Sequence, residues 1–175
     1  DVRNLSIHYV NEGQVAKAVH NVSFRLREGE LLGLVGESGC GKTTLMMALM
    51  RLLPSAGQIA SGQVLYGGKD LATLSEEELA EIRWKGISII FQGAMNALNP
   101  VRTVGDQIAE AILKHTPGMP RGVVDARVVE LLDLVGIAAE HKEHYPHQYS
   151  GGMRQRAMIA MALSCNPQVV IADEP

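Results

Sequence analysis

Apolar and polar residues alternate along residues 5–9 and again along residues 19–26, the two-residue period of strands with one buried face. Residues 31–35 break that rhythm with an unbroken apolar run, Leu-Leu-Gly-Leu-Val, followed by a glycine-rich turn; such a run predicts a central strand of a parallel sheet. Beyond the turn, Leu45, Leu49, Leu52 and Leu53 recur at helical spacing until Pro54 stops the pattern. The prediction for this stretch is strand, glycine loop, helix. Residues 63–66 read as another short strand, and Ser75 with Glu78 forms a capping box for a helix to about Arg83. Residues 87–91 read as a second buried strand. From Gly93 to Cys165 the period becomes helical, with helices expected over residues 104–113, 123–135 and 152–165 between proline and glycine breaks. Residues 169–172 return to a buried strand.

The pattern predicts a mixed α/β core interrupted by a mostly helical insertion, without internal repeats. The division expected is 1–92 for the core, 93–165 for the helical part and 166–175 for the returning strand. With 175 residues, 46% of them hydrophobic, the chain buries a substantial core. A net charge of −3 supplies no broad basic field, so nucleic acid is not favoured as a partner. Cys40 and Cys165 are far apart and lack CxxC spacing, which argues against a disulfide framework or zinc site and fits a reducing, cytosolic setting. No apolar run approaches the roughly 20 residues that cross a bilayer, so any membrane role is expected from the water side. The chain opens at Asp1 and closes at Pro175 directly after an expected strand, and it is expected to be a piece of something longer.

Between that apolar run and the first helix lies Gly36-Glu37-Ser38-Gly39-Cys40-Gly41-Lys42-Thr43, which fits G-x-x-x-x-G-K-[ST] in the strand–loop–helix context the motif requires. Glycines let the backbone wrap closely and aim N–H groups at phosphate oxygens, and the helix N-terminus adds partial positive charge. The candidates for nucleotide binding are Gly36, Ser38, Gly39, Cys40, Gly41, Lys42, Thr43 and Thr44. In this reading Lys42 reaches the β and γ phosphates, and the Thr43 hydroxyl binds Mg2+. Cys40 reads either as a thiol activated by the helix terminus or, more blandly, as a small residue at a variable position. At the other end, Asp173 and Glu174 close an apolar strand, an expensive place for two carboxylates unless cations are present. Asp173 is the candidate Mg2+ ligand and Glu174 the candidate base that polarises an attacking water. These two motifs are common to many P-loop enzymes and identify phosphate chemistry rather than a biological task.

Tyr149-Ser150-Gly151-Gly152-Met153-Arg154-Gln155-Arg156 narrows the field. Ser150, Gly151 and Gly152 present a hydroxyl and close-approaching N–H groups at a helix start, a second anion site that in isolation reads as an ordinary cap. This segment resembles the ABC signature, and its order with the glycine loop, Gln92 and the Asp173-Glu174 pair resembles ABC transporter ATPases over nearly the entire chain. The resemblance implies a P-loop NTPase fold with an N-terminal antiparallel β part and a helical signature subdomain. It also implies that Ser150, Gly151 and Gly152 reach the ATP of an opposing subunit, so that two ATPase subunits sandwich two nucleotides head to tail. Gln92 is implied to contact Mg2+ and the attacking water, and Tyr9 to stack on adenine, although a tyrosine packed at a strand end competes with that role.

Residues 35–42, 95–100 and 145–148 look closer still to the oligopeptide and dipeptide importer ATPases, a subfamily that also handles nickel and some oligosaccharides. Gly93-Ala94 departs from the Asp-Pro that many relatives carry after the glutamine. The function implied is the ATP-hydrolysing motor of an importer, working with transmembrane permease subunits from the cytoplasmic face of the membrane as a peripheral component. Two other classes stand beside it: a soluble ABC ATPase acting on ribosomes or DNA, and a nucleotide-binding regulator without turnover. The family's switch histidine and the loop after the second motif fall beyond Pro175, so these 175 residues alone are expected to hydrolyse ATP poorly. His141, His144 and His147 recur every third residue, a spacing that could suggest a metal site, but without accompanying Cys or carboxylate geometry they read as a solvated face among Glu140, Lys142 and Glu143; Trp84 reads as packing at a helix end.

Overall fold

The computed structural model describes residues 1–91, 93, 97–99, 100–174 of the chain and divides it into two compact units, Asp1–Ala80 and Glu81–Pro175. Gln92, the candidate metal and water contact, lies outside the described residues, as do Ala94, Met95, Asn96 and Pro175.

The first unit is built on an antiparallel sheet. Strand β1 (Val2–Asn11) pairs with β2 (Gln14–Phe24) and, on its other edge, with β3 (Gly57–Tyr66), which carries the two-residue β4 (Lys69–Asp70), giving the order β2-β1-β3-β4. The β1–β2 connection is only Glu12-Gly13, with both residues at positive φ (47° and 81°), as a tight hairpin turn of right-handed twist demands. Helix α1 (Lys42–Leu49) lies against these strands and contributes Leu45 and Ala48 to the buried set, alongside Val2, Leu5, Ile7, Val19 and Val64. Helix α2 (Glu76–Ile82) starts at the expected capping box: the Ser75 N–H donates to Glu78 Oε2 at 2.9 Å, and the Glu78 N–H donates to Ser75 Oγ at 3.2 Å. Those bonds to Ser75 hold the Glu78 carboxyl below its ordinary range.

Two expectations fail in this unit. Residues 31–35 enter no sheet among the described residues, and their side chains stand open, Leu31 at 99% and Val35 at 95% exposure. An apolar run states a demand for burial without naming the partner strand, and a strand exists only where a ladder partner accepts its backbone. Helix α1 also ends before Leu52 and Leu53. Met50 is its C-cap and Arg51 turns left-handed at φ 51°. The Arg51 guanidinium donates to the Leu74 carbonyl and pairs with Glu76, so the chain leaves the helix axis there and Met50 takes the buried place.

The second unit joins two parallel strands to three helices. Strand β5 (Ile87–Ile90) pairs in parallel with β6 (Val169–Ala172) from Ile87 opposite Val169 to Ile90 opposite Ala172. Helices α3 (Val104–His115), α4 (Arg121–Leu134) and α5 (Gly151–Ala162) surround a core that includes Ile108, Leu131, Leu132, Tyr149 and Ala157. Buried Gln107 on α3 serves both sides of the loop before it: its amide N–H groups donate to the carbonyls of Asn99, Arg102 and Thr103 while its Oε1 accepts from the Asn99 N–H at 2.8 Å. Trp84, at φ 74°, brings its ring to 6.0 Å from His115, whose imidazole is held below its usual pKa chiefly by burial.

Candidate functional site

The glycine loop is shaped by steric necessity at Gly41 and is closely packed at Gly36. Gly41 sits at φ 94°, and a Cβ there would lie 2.7 Å from the Ala18 carbonyl oxygen on β2; a Cβ on Gly36 would meet Cys40 Sγ at 2.6 Å. A side chain at Gly41 would push the loop off the sheet, whereas one at Gly36 would need only the Cys40 side chain to turn away. Gly41 is also the N-cap of α1 and supplies no capping side chain, the arrangement in which an anion takes the cap's place at a helix start.

Lys42 closes the loop on itself. Its Nζ donates to the Gly36 carbonyl at 2.8 Å and to the Glu37 carbonyl at 2.9 Å, with Cys40 Sγ 3.9 Å away. The ammonium is thereby held across the loop, while Gly36, Ser38, Gly39 and Cys40 remain exposed. The Tyr9 hydroxyl and Thr44 Oγ1 share a hydrogen bond at 3.3 Å, and the Tyr9 ring lies against Gly57. Tyr9 is therefore anchored to the helix that follows the loop, an arrangement the sequence pattern alone did not suggest.

In the second unit, the parallel ladder continues past β6 because the Asp173 N–H donates to the Ile90 carbonyl at 2.9 Å. Asp173 is buried, with 4% exposure, and Glu174 follows it exposed and left-handed at φ 45°. One strand end thus carries a carboxylate held inside and a carboxylate turned outside. Ser150 is the N-cap of α5 and its Oγ accepts from the Met153 N–H at 3.2 Å, as a helix cap requires; Gly152 has open space where a side chain would be. Among the described residues no group of three or more His, Cys, Asp and Glu side chains is placed to hold a metal by itself.

The residue that the sequence pattern missed is Tyr149. Its ring is buried in the helical core and its hydroxyl donates to the His141 carbonyl at 2.8 Å, fixing the backbone one residue before Ser150. An aromatic directly ahead of Ser-Gly-Gly was the available signal. Desolvation pushes its phenol up to about 12 from an ordinary 10.0. A raised folded-state value favours the protonated phenol in the native state. Stability from this source is fully present below pH 10 and is lost as pH rises from about 10 to about 12. Urea midpoints measured against pH should fall across that window, and Tyr149→Phe should flatten the fall; a parallel decline in the variant would assign it to other groups.

The expected solvated histidine face is met at His147 and only in part at His141 and His144. His141 and His144 are half-buried with Nδ1 atoms 3.0 Å apart: His141 lies in the 3-10 helix Ala139–Glu143, and His144, its extended C-cap, returns its N–H to the His141 carbonyl. His147 remains outside that pair and stacks on Tyr145.

The comparisons with known proteins follow the same residues. The family model described as ABC transporter matches residues 19–175. The chain belongs to the ABC transporter family. This ABC chain is 47% identical over 178 residues to a probable peptide ABC transporter ATP-binding protein, y4tR, of Sinorhizobium fredii, covering 100% of the chain and 53% of that relative. It is 48% identical to the dipeptide transport ATP-binding protein DppD of Bacillus subtilis, covering 99% of the chain and 52% of that relative. It thus spans about half the length of the curated relatives it matches. Among solved structures, the dimeric structure of a post-hydrolysis state of the ATP-binding cassette MJ0796, bound to ADP and Pi, matches with TM-score 0.88 at 29% identity, over 99% of this chain and 73% of that one. A mixed α/β ABC cassette fold and nucleotide binding as the family's business follow for this chain. Among its described residues no helix is long and apolar enough to cross a membrane.

Proposed function

We infer that this ABC chain is the nucleotide-binding segment of an ATP-hydrolysing motor subunit that drives import of peptides or related small solutes. The observation that carries the reading is the Lys42 ammonium held between the Gly36 and Glu37 carbonyls, over a loop that requires glycine at position 41. A glycine loop leading into a helix N-terminus, with one cation held across it, is the combination that takes a polyphosphate. The names of the relatives, peptide and dipeptide transport ATP-binding proteins, support the cargo.

In this reading the backbone of Gly36, Ser38, Gly39, Cys40 and Gly41 binds the phosphates together with Lys42 and Thr44, and Tyr9 stacks on adenine. Thr43, Asp173 and Gln92 hold Mg2+, which neutralises charge on the β and γ phosphates when bound. Glu174 accepts a proton from water as its oxygen attacks the γ-phosphorus; the bond from that phosphorus to the bridging oxygen breaks, leaving ADP and phosphate. Ser150, Gly151 and Gly152 serve the γ-phosphate held by a second ABC subunit, so nucleotide binding closes a head-to-tail pair and hydrolysis reopens it. The movement passes to transmembrane permease subunits, with the motor peripheral on the cytoplasmic face. Isothermal calorimetry with ATP, with and without magnesium, tests the foundation: saturable, magnesium-dependent uptake is expected, and its absence in a folded sample sinks the reading.

A further inference from the structure

His141 and His144 have no part in nucleotide chemistry, yet they are the most closely opposed pair of titratable rings that the described residues contain outside it. Their Nδ1 atoms are 3.0 Å apart, their ring centroids 4.9 Å apart and their planes inclined at 68°. Two imidazole nitrogens at that separation either share one proton or turn both lone pairs toward one ion. A first-row divalent ion sits about 2.0–2.1 Å from imidazole nitrogen, so this pair subtends roughly 95° at such an ion. That is close to the cis angle of square-planar or tetragonal coordination and well short of the tetrahedral angle that zinc prefers.

We propose that His141 and His144 form a two-nitrogen binding site for Cu2+ or Ni2+, with water completing the coordination. On binding, the ring that carries its proton on Nδ1 releases it to solvent and takes one from solvent on Nε2, so both rings turn an Nδ1 lone pair to the ion and the proton count of the neutral pair is unchanged. The backbone already holds both ligands in place: the His141 carbonyl accepts from the Tyr149 hydroxyl at 2.8 Å and from the His144 N–H at 2.9 Å, and the His144 carbonyl accepts from the Val104 N–H at 2.9 Å at the head of α3. Fixed ligands lose little freedom when the ion arrives, which is how a two-residue site gains affinity. Of the charged neighbours on the same turn, Glu143 is paired with Lys142 at 3.6 Å, and Glu140 is exposed. His147, stacked on Tyr145 with centroids 5.7 Å apart, supplies no third ligand. The site is accordingly an exchangeable one rather than a structural metal centre.

Copper titration of the purified chain, followed by electron paramagnetic resonance and calorimetry, tests this directly. One ion per chain with hyperfine structure from two nitrogens is expected, with Ni2+ binding more weakly at the same residues. His141→Ala and His144→Ala should each weaken uptake at least tenfold and abolish the two-nitrogen pattern, while His147→Ala should leave both unchanged. His141→Gln, checked for native circular dichroism, serves where alanine disturbs the turn. Uptake that persists in all three pair variants belongs to other histidines and overturns the proposal, as does the absence of stoichiometric uptake, which leaves the pair as a shared proton.

Discussion

Lys42→Ala is expected to weaken ATP binding by about 3 kcal/mol, a little over a hundredfold, because it deletes the one side-chain cation placed in the glycine loop. The structure makes the substitution informative. Nζ donates to the Gly36 and Glu37 carbonyls, which holds the ammonium across the loop. Those carbonyls are exposed and turn to water when the lysine is lost, which keeps the effect on folding small. The expected signature is therefore a large change in affinity beside a nearly unchanged melting temperature. Titration of a fluorescent ATP analogue, paired with thermal melts, separates the two. A loss below tenfold, or a loss matched by unfolding, would mean that Lys42 braces the loop without facing phosphate. Lys42→Arg makes a second comparison: a planar fork replaces a compact charge that fits between two carbonyls, so affinity should be only partly restored.

What could be read from the chain was whatever a short window dictates. The glycine loop, the Ser75–Glu78 capping box and the cap at Ser150 are local contracts between a few side chains and neighbouring backbone, and each appears where its residues predicted it. Strand β6 was also legible, since residues 169–172 are apolar and bounded on both sides by polar residues. The misreadings share a different cause, which is that pairing is non-local. Residues 14–18 join β2 because the Glu12-Gly13 turn folds them back onto β1, not because their own pattern requires it. Residues 31–35 show the converse, an apolar run without a ladder partner among the described residues. The histidines read as a solvated face from their charged neighbours Glu140, Lys142 and Glu143, and the pairing of His141 with His144 is settled by how the 3-10 turn ends. Likewise, an aromatic ahead of Ser-Gly-Gly marks Tyr149 but not its partner, the His141 carbonyl, and Tyr9 does not announce Thr44, since each contact is settled by how elements dock.

Glu174→Gln should separate binding from chemistry. The two side chains are nearly the same shape, and both tolerate the exposed, left-handed position at φ 45° about equally, so the backbone after β6 should stay as it is. What disappears is the negative charge that accepts a proton from water, and a positioned general base contributes roughly 10²–10⁴-fold to rate. In the assembled transporter, turnover is expected to fall by about that factor while ATP affinity changes less than twofold. Asp173→Asn should behave differently. Asp173 is buried and its N–H belongs to the ladder with Ile90. Its replacement should therefore reduce the magnesium dependence of binding itself, because the charge removed is the one proposed to hold the ion. Single-turnover hydrolysis and magnesium-dependent binding, measured on both variants, place the two carboxylates in separate columns: one acting on water, the other on metal. If Glu174→Gln kept more than a tenth of wild-type turnover, the base would have to be another group, and the outward carboxylate at this strand end would be a feature of the turn alone.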